Sequence, residues 1–405
     1  SDRVTVDLES HGREAVAEGI DLSRTVGWFT SAYPALLEVQ TGADAGAVLR
    51  GVKEGLRQVP RRGLGYGMLR YLNDGVDWTE YPEAEISFNY LGQLDQALSR
   101  ESWLVPAREA SGPSQAITAR RDHLLDINGA VANGRLGLTW SYSARQYEPE
   151  TIERLATSYI TRLEELIAHC VAAKQRGYTP SDFPLAVVSQ EKIDELLARG
   201  VEIEDIYGLS PMQQGMLFHS LLEPGSGVYM EQMSCELPVE IDEQAFESTW
   251  QRLISRHTIL RTSFLWAQLA QPVQVVHRRV QLPIEKIDWR GITKEEQQQR
   301  LAIYLNEERH RDFNFAEAPL MRIKLIRMSE SAYHLIWTFH HSLQDGWTGP
   351  LVLNEMFSTY ELYCRGQQPE WKPGQPYRNY IAWLQRQSKD EAERYWRGQL
   401  AGISA

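Results

Sequence analysis

Tyr333-His-Leu-Ile-Trp-Thr-Phe339, followed by His340-His-Ser-Leu-Gln-Asp-Gly-Trp347, is the stretch around which this chain is organised. Apolar residues at 335, 337 and 339 alternate with their neighbours, which predicts a buried β-strand that ends at two histidines. Adjacent residues on a strand point to opposite faces, so the two imidazoles cannot serve one metal ion or one substrate atom. The dipeptide Asp345-Gly346 predicts a turn that returns the chain beside them. One histidine is therefore expected to face a reaction site and the other the interior.

The spacing of these residues resembles the His-His-x-x-x-Asp-Gly motif of condensation domains in nonribosomal peptide synthetases, which are relatives of chloramphenicol acetyltransferase. In that family the second histidine faces the tunnel where two thioester-bound substrates meet, and the matching residue is His341. His340, Asp345, Gly346 and Trp347 match the residues that support the site. Without this context, a lone histidine at a strand end is more often a satisfied polar group than a catalyst. A catalytic triad that includes His341 and Asp345 is a less favoured interpretation than a structural role for Asp345, because the resemblance implies no Ser or Cys nucleophile.

Composition places the chain among globular proteins and limits its partners. Its 405 residues are 42% hydrophobic and 24% charged, a length that predicts about two to three domains. The net charge of -12 argues against nucleic acid, because phosphate binding relies on clustered Lys and Arg. No apolar stretch approaches the roughly 20 residues that span a bilayer, so no membrane association is expected. Cys170, Cys235 and Cys364 show no paired spacing, which predicts a cytoplasmic protein without disulfides or a metal site.

The beginning of the chain has the composition of an interior segment. Ser1-Asp-Arg-Val4 contains neither an initiator Met nor the apolar region of a signal peptide. We therefore expect the sequence to be cut from a longer protein.

Glu9 stands at the end of a predicted strand, because residues 4–9 alternate between apolar and polar. A carboxylate in that position is ordinarily solvated and without a special role. However, the stretch 9–14, Glu-Ser-His-Gly-Arg-Glu, is similar to the Glu-Gly-His-Gly-Arg-Glu motif of epimerization domains, with Ser10 in place of the usual glycine. The stretches 24–34, 60–67 and 88–93 resemble later motifs of that family in the same order.

The resemblance implies a site for proton transfer at the α-carbon of a thioester. Epimerization domains pair a glutamate, here Glu9, with the histidine of their own His-His-x-x-x-Asp-Gly motif. Asn89 and Tyr90 match residues near that site, and His11 belongs to the motif of the glutamate. Alternatively, residues 89–93 are a turn with a packing tyrosine. No His-His-x-x-x-Asp-Gly occurs before residue 340. The first part, about 1–175, thus resembles only the C-terminal lobe of an epimerization domain.

The predicted architecture is α/β (α+β), with two chloramphenicol-acetyltransferase-like lobes that are each a mixed sheet covered by helices. Strands at 124–131 and 136–142, joined by Asn133-Gly134, predict a hairpin, and apolar spacing from 152 to 166 predicts a helix over it. Weakened periodicity predicts a linker over 174–203, which separates a first domain, 1–173, from a second domain, 204–405.

The second domain resembles the N-terminal lobe of a condensation domain. Ser210 and Gln213 predict a capping box at a helix start, and residues 209–219 and 256–262 resemble the first two condensation motifs. Relatives hold the catalytic loop with a buried Arg–Asp pair, which makes Arg261 a candidate partner for Asp345. Arg322 is an equally open choice, because the sequence does not decide between the two arginines.

The resemblance also implies how substrates arrive. They would be thioesters on the 4'-phosphopantetheine arms of donor and acceptor peptidyl carrier protein domains, with no cofactor or metal bound directly by this chain. Adjoining synthetase domains would be further partners. The chain has no carrier serine motif and no adenylation motif, so it is not expected to load its own substrates.

Three functions follow as alternatives. The first is an epimerization–condensation junction of a bacterial nonribosomal peptide synthetase in antibiotic or other secondary metabolism. Its parent enzyme would invert an aminoacyl or peptidyl thioester and then join a D-donor to an L-acceptor. The second is a catalytically inactive two-lobe fragment that binds carrier proteins or neighbouring domains. The third is a free-standing acyltransferase in which the first lobe packs on the second.

Overall fold

The computed structural model forms two compact units, Ser1–Ser181 and Asp182–Ala405. The residues that it describes are 2–13, 20–39, 42–73, 75, 77–78, 81, 83–93, 112, 116, 118–172, 177–371 and 374–403. Glu14, the last residue of the epimerization-like motif, lies outside them. Within these ranges, no helix combines the length and the apolar character needed to cross a bilayer.

The first unit is built on one mixed sheet. In the part of the unit that the structure describes, the strands are β1 (Arg3–Ser10), β2 (Ser31–Glu38), β3 (Ile86–Gln93), β4 (Leu125–Ala132) and β5 (Arg135–Tyr142), and the α-helices are α1 (Ala45–Gln58), α2 (Leu64–Leu72) and α3 (Pro149–Ala172). The strand order is β2-β1-β3-β4-β5, with β1, β3 and β4 parallel to one another. Asn133 and Gly134 both adopt positive φ between β4 and β5, which confirms the predicted hairpin.

One face of this sheet is apolar and covered by α3. Val6, Leu125 and Ile127 of the sheet are buried, as is Ile152 in the first turn of the helix. Trp140 of β5 meets Tyr159 of α3 edge to face, with ring centroids 5.8 Å apart, a favoured aromatic geometry. The helix that the apolar spacing predicts therefore covers the sheet as expected.

The second unit contains two sheets, where the sequence predicted a single one. Its described strands are β6 (Ile203–Gly208), β7 (Met230–Leu237), β8 (Thr262–Leu265), β9 (Val273–His277), β10 (Ile284–Asp288), β11 (Met321–Ser329) and β12 (Ala332–His340). One sheet is mixed and has the order β10-β11-β12-β7. The other is antiparallel and has the order β6-β9-β8. The α/β class is confirmed.

Helices cover these sheets. The described ones are α4 (Gln190–Ala198), α5 (Pro211–Leu222), α6 (Glu243–Arg256), α7 (Lys294–Arg309), α8 (Thr348–Cys364), α9 (Arg378–Gln385) and α10 (Lys389–Gln399). Trp250 of α6 packs against Trp337 of β12 with ring centroids 5.1 Å apart. Both indoles are almost fully buried in the largest apolar cluster of the unit. Burial of aromatic side chains contributes strongly to a core, so this contact holds β12 in place.

Much of the predicted linker is packed on the second unit. Phe183, Ile193 and Leu196 are each at most 2% exposed. The carbonyl oxygen of Leu185 accepts hydrogen bonds from Gly208 N and from Gln385 Nε2, both at 3.0 Å. Residues 182–203 are therefore part of the folded second unit.

Candidate active site

The paired histidines lie where β12 ends, as the sequence predicts. This strand is held between β11 and β7, and a short 3-10 helix, His341–Leu343, follows it directly. The backbone N–H of His341 donates to the carbonyl oxygen of Tyr229 over 2.8 Å. We refer to residues 340–345 as the histidine turn. Because β12 is hydrogen-bonded to a strand on each side, it fixes the position at which this turn begins.

His340 faces the interior. Its side chain is 1% exposed, and Ser342 approaches Nδ1 both with its backbone N–H at 3.2 Å and with its hydroxyl at 2.7 Å. Nδ1 is thus the acceptor, and Nε2–H donates to the hydroxyl oxygen of Ser220, 3.0 Å away. Burial, with a smaller effect from the neighbouring His341, lowers the pKa of His340 to about 4. The imidazole is therefore neutral near pH 7 and supports the turn.

His341 is half-buried and has the opposite tautomer. Its Nδ1 lies 2.9 Å from the carbonyl oxygen of Gln344. A carbonyl oxygen only accepts, so Nδ1 carries the proton and Nε2 has the free lone pair. A backbone carbonyl that fixes one ring nitrogen determines which nitrogen is available for chemistry. His341 can therefore take a proton from a substrate through Nε2.

Asp345 acts as a helix cap. Its Oδ1 accepts hydrogen bonds from Trp347 N at 3.1 Å, Thr348 N at 2.9 Å and Thr348 Oγ1 at 2.8 Å. The hydrogen bonds from Thr348 hold the pKa of this exposed carboxyl below its ordinary value. Gly346 and Trp347 complete the turn into α8, and the indole of Trp347 is 85% exposed. The Asp345 carboxylate is thus hydrogen-bonded to residues at the start of α8.

The predicted pair between Asp345 and an arginine is wrong. Arg261 is 6% exposed and forms a bidentate pair with Glu204 on β6, at 2.7 and 3.0 Å. It also donates to the carbonyl oxygen of His277 on β9. Arg261 faces the three-stranded sheet, and its charge is paired there with Glu204. Arg261 thus supports the fold next to the site, and it does not touch Asp345.

The alternative partner, Arg322, also bonds elsewhere. Its Nε donates to Glu308 near the end of α7 over 2.5 Å, and its guanidinium lies over the ring of Phe313 at 4.3 Å. Lys324 reaches the same carboxylate of Glu308 at 3.1 Å. This buried cluster connects α7 to β11. Neither arginine that the sequence proposes holds the histidine turn.

Two glutamines that sequence reasoning did not assign to the site contact the turn. Gln213 donates from Nε2 to the carbonyl oxygen of Ser342 over 3.1 Å. Gln274 on β9 donates to Gln213 Oε1 over 3.1 Å. The sequence showed Gln213 only as the third residue of a capping box, and the structure confirms that box. Its contact with the turn, 129 residues away along the chain, has no local signal.

In the first unit, the register of the parallel strands brings Glu9 and Asn89 together. Leu8 of β1 pairs with Phe88 of β3, so Glu9 and Asn89 occupy the next position and share a face of the sheet. Asn89 pairs in turn with Asn128 of β4. A carboxylate and two amides thus form a polar row across three strands. Asn128 carried no signal in the sequence.

The same face continues one row further with a histidine between two carboxylates. His123 Nε2 lies 2.8 Å from Asp7 Oδ2, and its Nδ1 lies 3.5 Å from Asp126 Oδ1. Asp7 and Asp126 precede Glu9 and Asn128 by two residues, so all four side chains are on one face. This face is polar, whereas the opposite face is packed on α3.

The other two predicted neighbours are placed differently. Tyr90 follows Asn89 in a regularly paired part of β3, so its ring points to the opposite face of the sheet. His11 is exposed, and its Nδ1 accepts the backbone N–H of Arg13 over 3.0 Å. The structure brings Asn89 to Glu9, whereas Tyr90 is on the other side and His11 closes a turn.

Two glycines lie where separate epimerization-like motif stretches approach each other closely. Gly12 has φ +62, and a Cβ there would lie 1.5 Å from the carbonyl oxygen of Phe29. Gly63 has φ +80, and a Cβ there would lie 2.0 Å from the ring of Tyr33. Both positions exclude a side chain by sterics and by backbone conformation. Motif stretches that are distant in the sequence are therefore packed on one another.

Among the described residues, these features define an imidazole at a strand end whose Nδ1–H is held by a backbone carbonyl oxygen and not by a carboxylate. The sequence profile described as Condensation domain matches residues 1–184 and 203–405. The chain belongs to the condensation-domain family.

Two curated relatives match almost all of this chain but are themselves much longer. A linear gramicidin synthase of Brevibacillus parabrevis is 48% identical over 405 residues, which cover 99% of this chain and 5% of the relative. Bacitracin synthase 3 of Bacillus licheniformis is 37% identical over 408 residues, which cover 99% of this chain and 6% of the relative. The chain spans only these small fractions of the curated relatives.

Similarity to one solved structure completes the comparison. The epimerization domain from the third module of tyrocidine synthetase B is 35% identical, with a TM-score of 0.38 and coverage of 43% of this chain and 39% of that chain. The family assignment rests on the sequence profile.

Proposed function

We propose that this chain is part of a nonribosomal peptide synthetase and that its second unit forms peptide bonds. The substrates would be two thioesters on 4'-phosphopantetheine arms, brought by donor and acceptor carrier protein domains. The observation that supports this proposal is the geometry of His341, whose Nδ1–H is fixed by the Gln344 carbonyl and whose Nε2 can accept a proton. Adjoining synthetase domains as partners and a cytoplasmic location belong to the same proposal.

The chemistry requires orientation more than strong basicity. A free α-amine has a pKa of about 7.7 to 8.0, so neutralising it at pH 7 costs only about 1 kcal/mol. His341 would orient the acceptor amine and take its proton as the tetrahedral species forms. The backbone N–H of Gly346, next to the two N–H groups that Asp345 binds, would donate to the oxyanion. An imidazole whose Nδ1–H is held by a backbone carbonyl suits this task.

For the first unit we propose the C-terminal lobe of an epimerization domain. Removing a proton α to a thioester forms an enolate, and inversion requires an acid or a base on each face. Glu9 would serve one face, and the adjacent Asn89 would donate to the enolate oxygen. The shared face of Glu9 and Asn89 supports this assignment. The histidine for the other face would come from a part of the synthetase that precedes this chain.

The order of the two units along the chain implies the stereochemistry of the coupling. An epimerization lobe directly before a condensation lobe would supply a donor that ends in a D-residue. We therefore propose D-to-L coupling by the complete condensation domain.

A competition experiment tests this proposal. The synthetase that contains this chain is given an acceptor carrier loaded with an L-aminoacyl group, together with equal amounts of donor carriers loaded with the D- or the L-ending peptide. Chiral chromatography of the released products should show a D-to-L product in large excess. Equal use of both donors would refute the stereochemical part, whereas absence of any peptide bond would refute the function itself. A Glu9→Gln variant, supplied with a preformed D-donor, should couple at the unmodified rate.

A further inference from the structure

Gln213 is a buried amide in which every polar atom is used. It is 3% exposed, and its Oε1 accepts from Ser210 N at 3.0 Å and from Gln274 Nε2 at 3.1 Å. Its Nε2 donates to the carbonyl oxygen of Ser342 at 3.1 Å. Gln274 is fixed in turn, because it donates to the carbonyl oxygen of Gly208 over 2.9 Å. A capping box needs only the first of these hydrogen bonds.

The histidine turn depends on such external contacts. The 3-10 helix His341–Leu343 is a single turn, and its own backbone hydrogen bond, from Gln344 N to His341 O, is 3.3 Å long. Short 3-10 segments have poor hydrogen-bond geometry and little stability of their own. The position of the Gln344 carbonyl, which determines the tautomer of His341, thus depends on what holds the turn from outside.

Helix α5 holds the turn at two points. Gln213 and Ser220 are seven residues apart, with the buried Leu217 between them, so all three lie on one helix face. Ser220 accepts from His340 Nε2 over 3.0 Å at the start of the turn. Gln213 binds the Ser342 carbonyl in its middle. The two bonds fix the turn against a rigid helix.

We propose that Gln213, supported by Gln274, is a positioning residue that keeps His341 in the tautomer with a free Nε2. This inference rests on the proposed function only where it concerns the rate of peptide bond formation. The position and the tautomer of the imidazole are properties of the chain itself. Loss of the Gln213 amide releases the Ser342 carbonyl, and the Gln344 carbonyl then moves from Nδ1 of His341.

The first test is nitrogen NMR of ¹⁵N-histidine-labelled protein, because it reports which ring nitrogen carries the proton. Gln213→Met keeps the length and the apolar contacts of the side chain but removes its donor. The matched control is Gln214→Met, since Gln214 is on the same helix and donates to the carbonyl oxygen of Leu209. The unmodified chain and the control should show His341 protonated on Nδ1, and Gln213→Met should show both tautomers. An unchanged His341 signal in Gln213→Met would overturn the proposal.

A second measurement keeps the test decisive if Gln213→Met does not fold. Gln213→Glu preserves the acceptor for Ser210, but its carboxylate cannot donate to the Ser342 carbonyl, so it should also produce both tautomers. In the unmodified chain, the side-chain NH₂ of Gln213 should exchange slowly with solvent. Rapid exchange would mean that the bond to Ser342 is not held, which would overturn the proposal.

The rate measurement separates this inference from the proposed function. In the synthetase, Gln213→Met should lower kcat for peptide bond formation by about 10- to 100-fold and leave KM within about twofold, because the loss affects orientation. Gln214→Met should retain the unmodified kcat. If His341→Ala is fully active, the proposed role of His341 in peptide bond formation fails, but the NMR result still decides the tautomer. If His341→Ala is inactive and Gln213→Met is fully active, the positioning role fails alone.

Discussion

His341 donates its Nδ1–H to the backbone carbonyl oxygen of Gln344, 2.9 Å away. A backbone atom thus has the orienting role that a carboxylate has in a Ser-His-Asp triad. The only carboxylate of the histidine turn, Asp345, is bound to Trp347 and Thr348. In this site, the Gln344 carbonyl orients the imidazole, whereas the Asp345 carboxylate caps the helix that follows.

Asp345 should be replaceable by asparagine but not by alanine. Asp345→Ala removes the acceptor for the first turn of α8 and should lower the free energy of unfolding by about 0.5 to 2 kcal/mol. Asp345→Asn keeps an oxygen acceptor and should cost much less, because asparagine caps as well as aspartate. Urea unfolding of the three proteins measures the difference. Equal losses in both variants would show that the charge of Asp345, and not its capping oxygen, is required.

Arg261 should couple energetically to Glu204. Glu204→Gln leaves a guanidinium that is 6% exposed without its ion pair. Because the Glu204 side chain is 34% exposed and solvent screens part of the interaction, this should lower the free energy of unfolding by about 1 to 3 kcal/mol. A double-mutant cycle with Arg261→Met should give a coupling energy well above about 0.5 kcal/mol, the limit for independent sites.

The matched cycle pairs Arg261→Met with Asp345→Asn. Because the structure shows no hydrogen bond between these described side chains, their effects on unfolding should add within about 0.5 kcal/mol. A large coupling here, with none to Glu204, would restore the Arg–Asp pair that the sequence suggested.

Removing the side-chain amide of Gln344 should stabilise the protein. The side chain is 5% exposed, and neither Nε2 nor Oε1 has a hydrogen-bond partner among the described residues. A buried polar group without a partner costs about 1 to 3 kcal/mol, so Gln344→Met should raise the free energy of unfolding by about this amount. The backbone carbonyl that His341 uses is retained. Thermal or urea unfolding measures the effect, and a destabilised variant would show that the amide is satisfied in solution.

Mild acid should destabilise the second unit through His277. Burial, and then the nearby Arg261, lowers the pKa of this imidazole from 6.5 to about 4. Below pH 6.5 the unfolded chain binds a proton that the folded chain rejects, so stability is complete above pH 6.5, falls towards pH 4 and then levels off. The loss from this one group is about 3 kcal/mol.

The variant His277→Gln isolates this effect. It keeps a polar partner for Ser263, whose hydroxyl lies 2.8 Å from His277 Nε2, but it cannot titrate. Its free energy of unfolding should fall less steeply between pH 6.5 and 4 than that of the unmodified chain. Parallel curves for the two proteins would exclude His277 as the source of acid sensitivity.

Sequence patterns predicted the elements that depend on local chemistry. The alternation before His340 predicted β12, Asn133-Gly134 predicted the hairpin, and Ser210 with Gln213 predicted the start of α5; the structure confirms all three. Each of these signals is contained within a few neighbouring residues. Local periodicity and turn chemistry therefore suffice for them.

Partners that are distant along the chain were not predictable in the same way. Arg261 binds Glu204, 57 residues earlier, because the pairing of β6 with β9 brings Glu204 and the carbonyl oxygen of His277 beside it. The sequence does not show that β6, β9 and β8 form a sheet of their own. Likewise, the row of Glu9, Asn89 and Asn128 depends on the register of three parallel strands. Such contacts follow from tertiary structure, which pattern analysis of one sequence does not supply.

The decisive measurement is peptide bond formation by the proposed synthetase, compared with its His341→Ala variant. Both proteins receive donor and acceptor carriers loaded in advance, so that loading does not limit the rate, and single-turnover product is measured by mass spectrometry. His341→Ala should form product at least about 100-fold more slowly, within the range for loss of a positioned acid–base group, with carrier loading unchanged. Product formation by His341→Ala at the unmodified rate would contradict the assignment of His341 as the reacting imidazole.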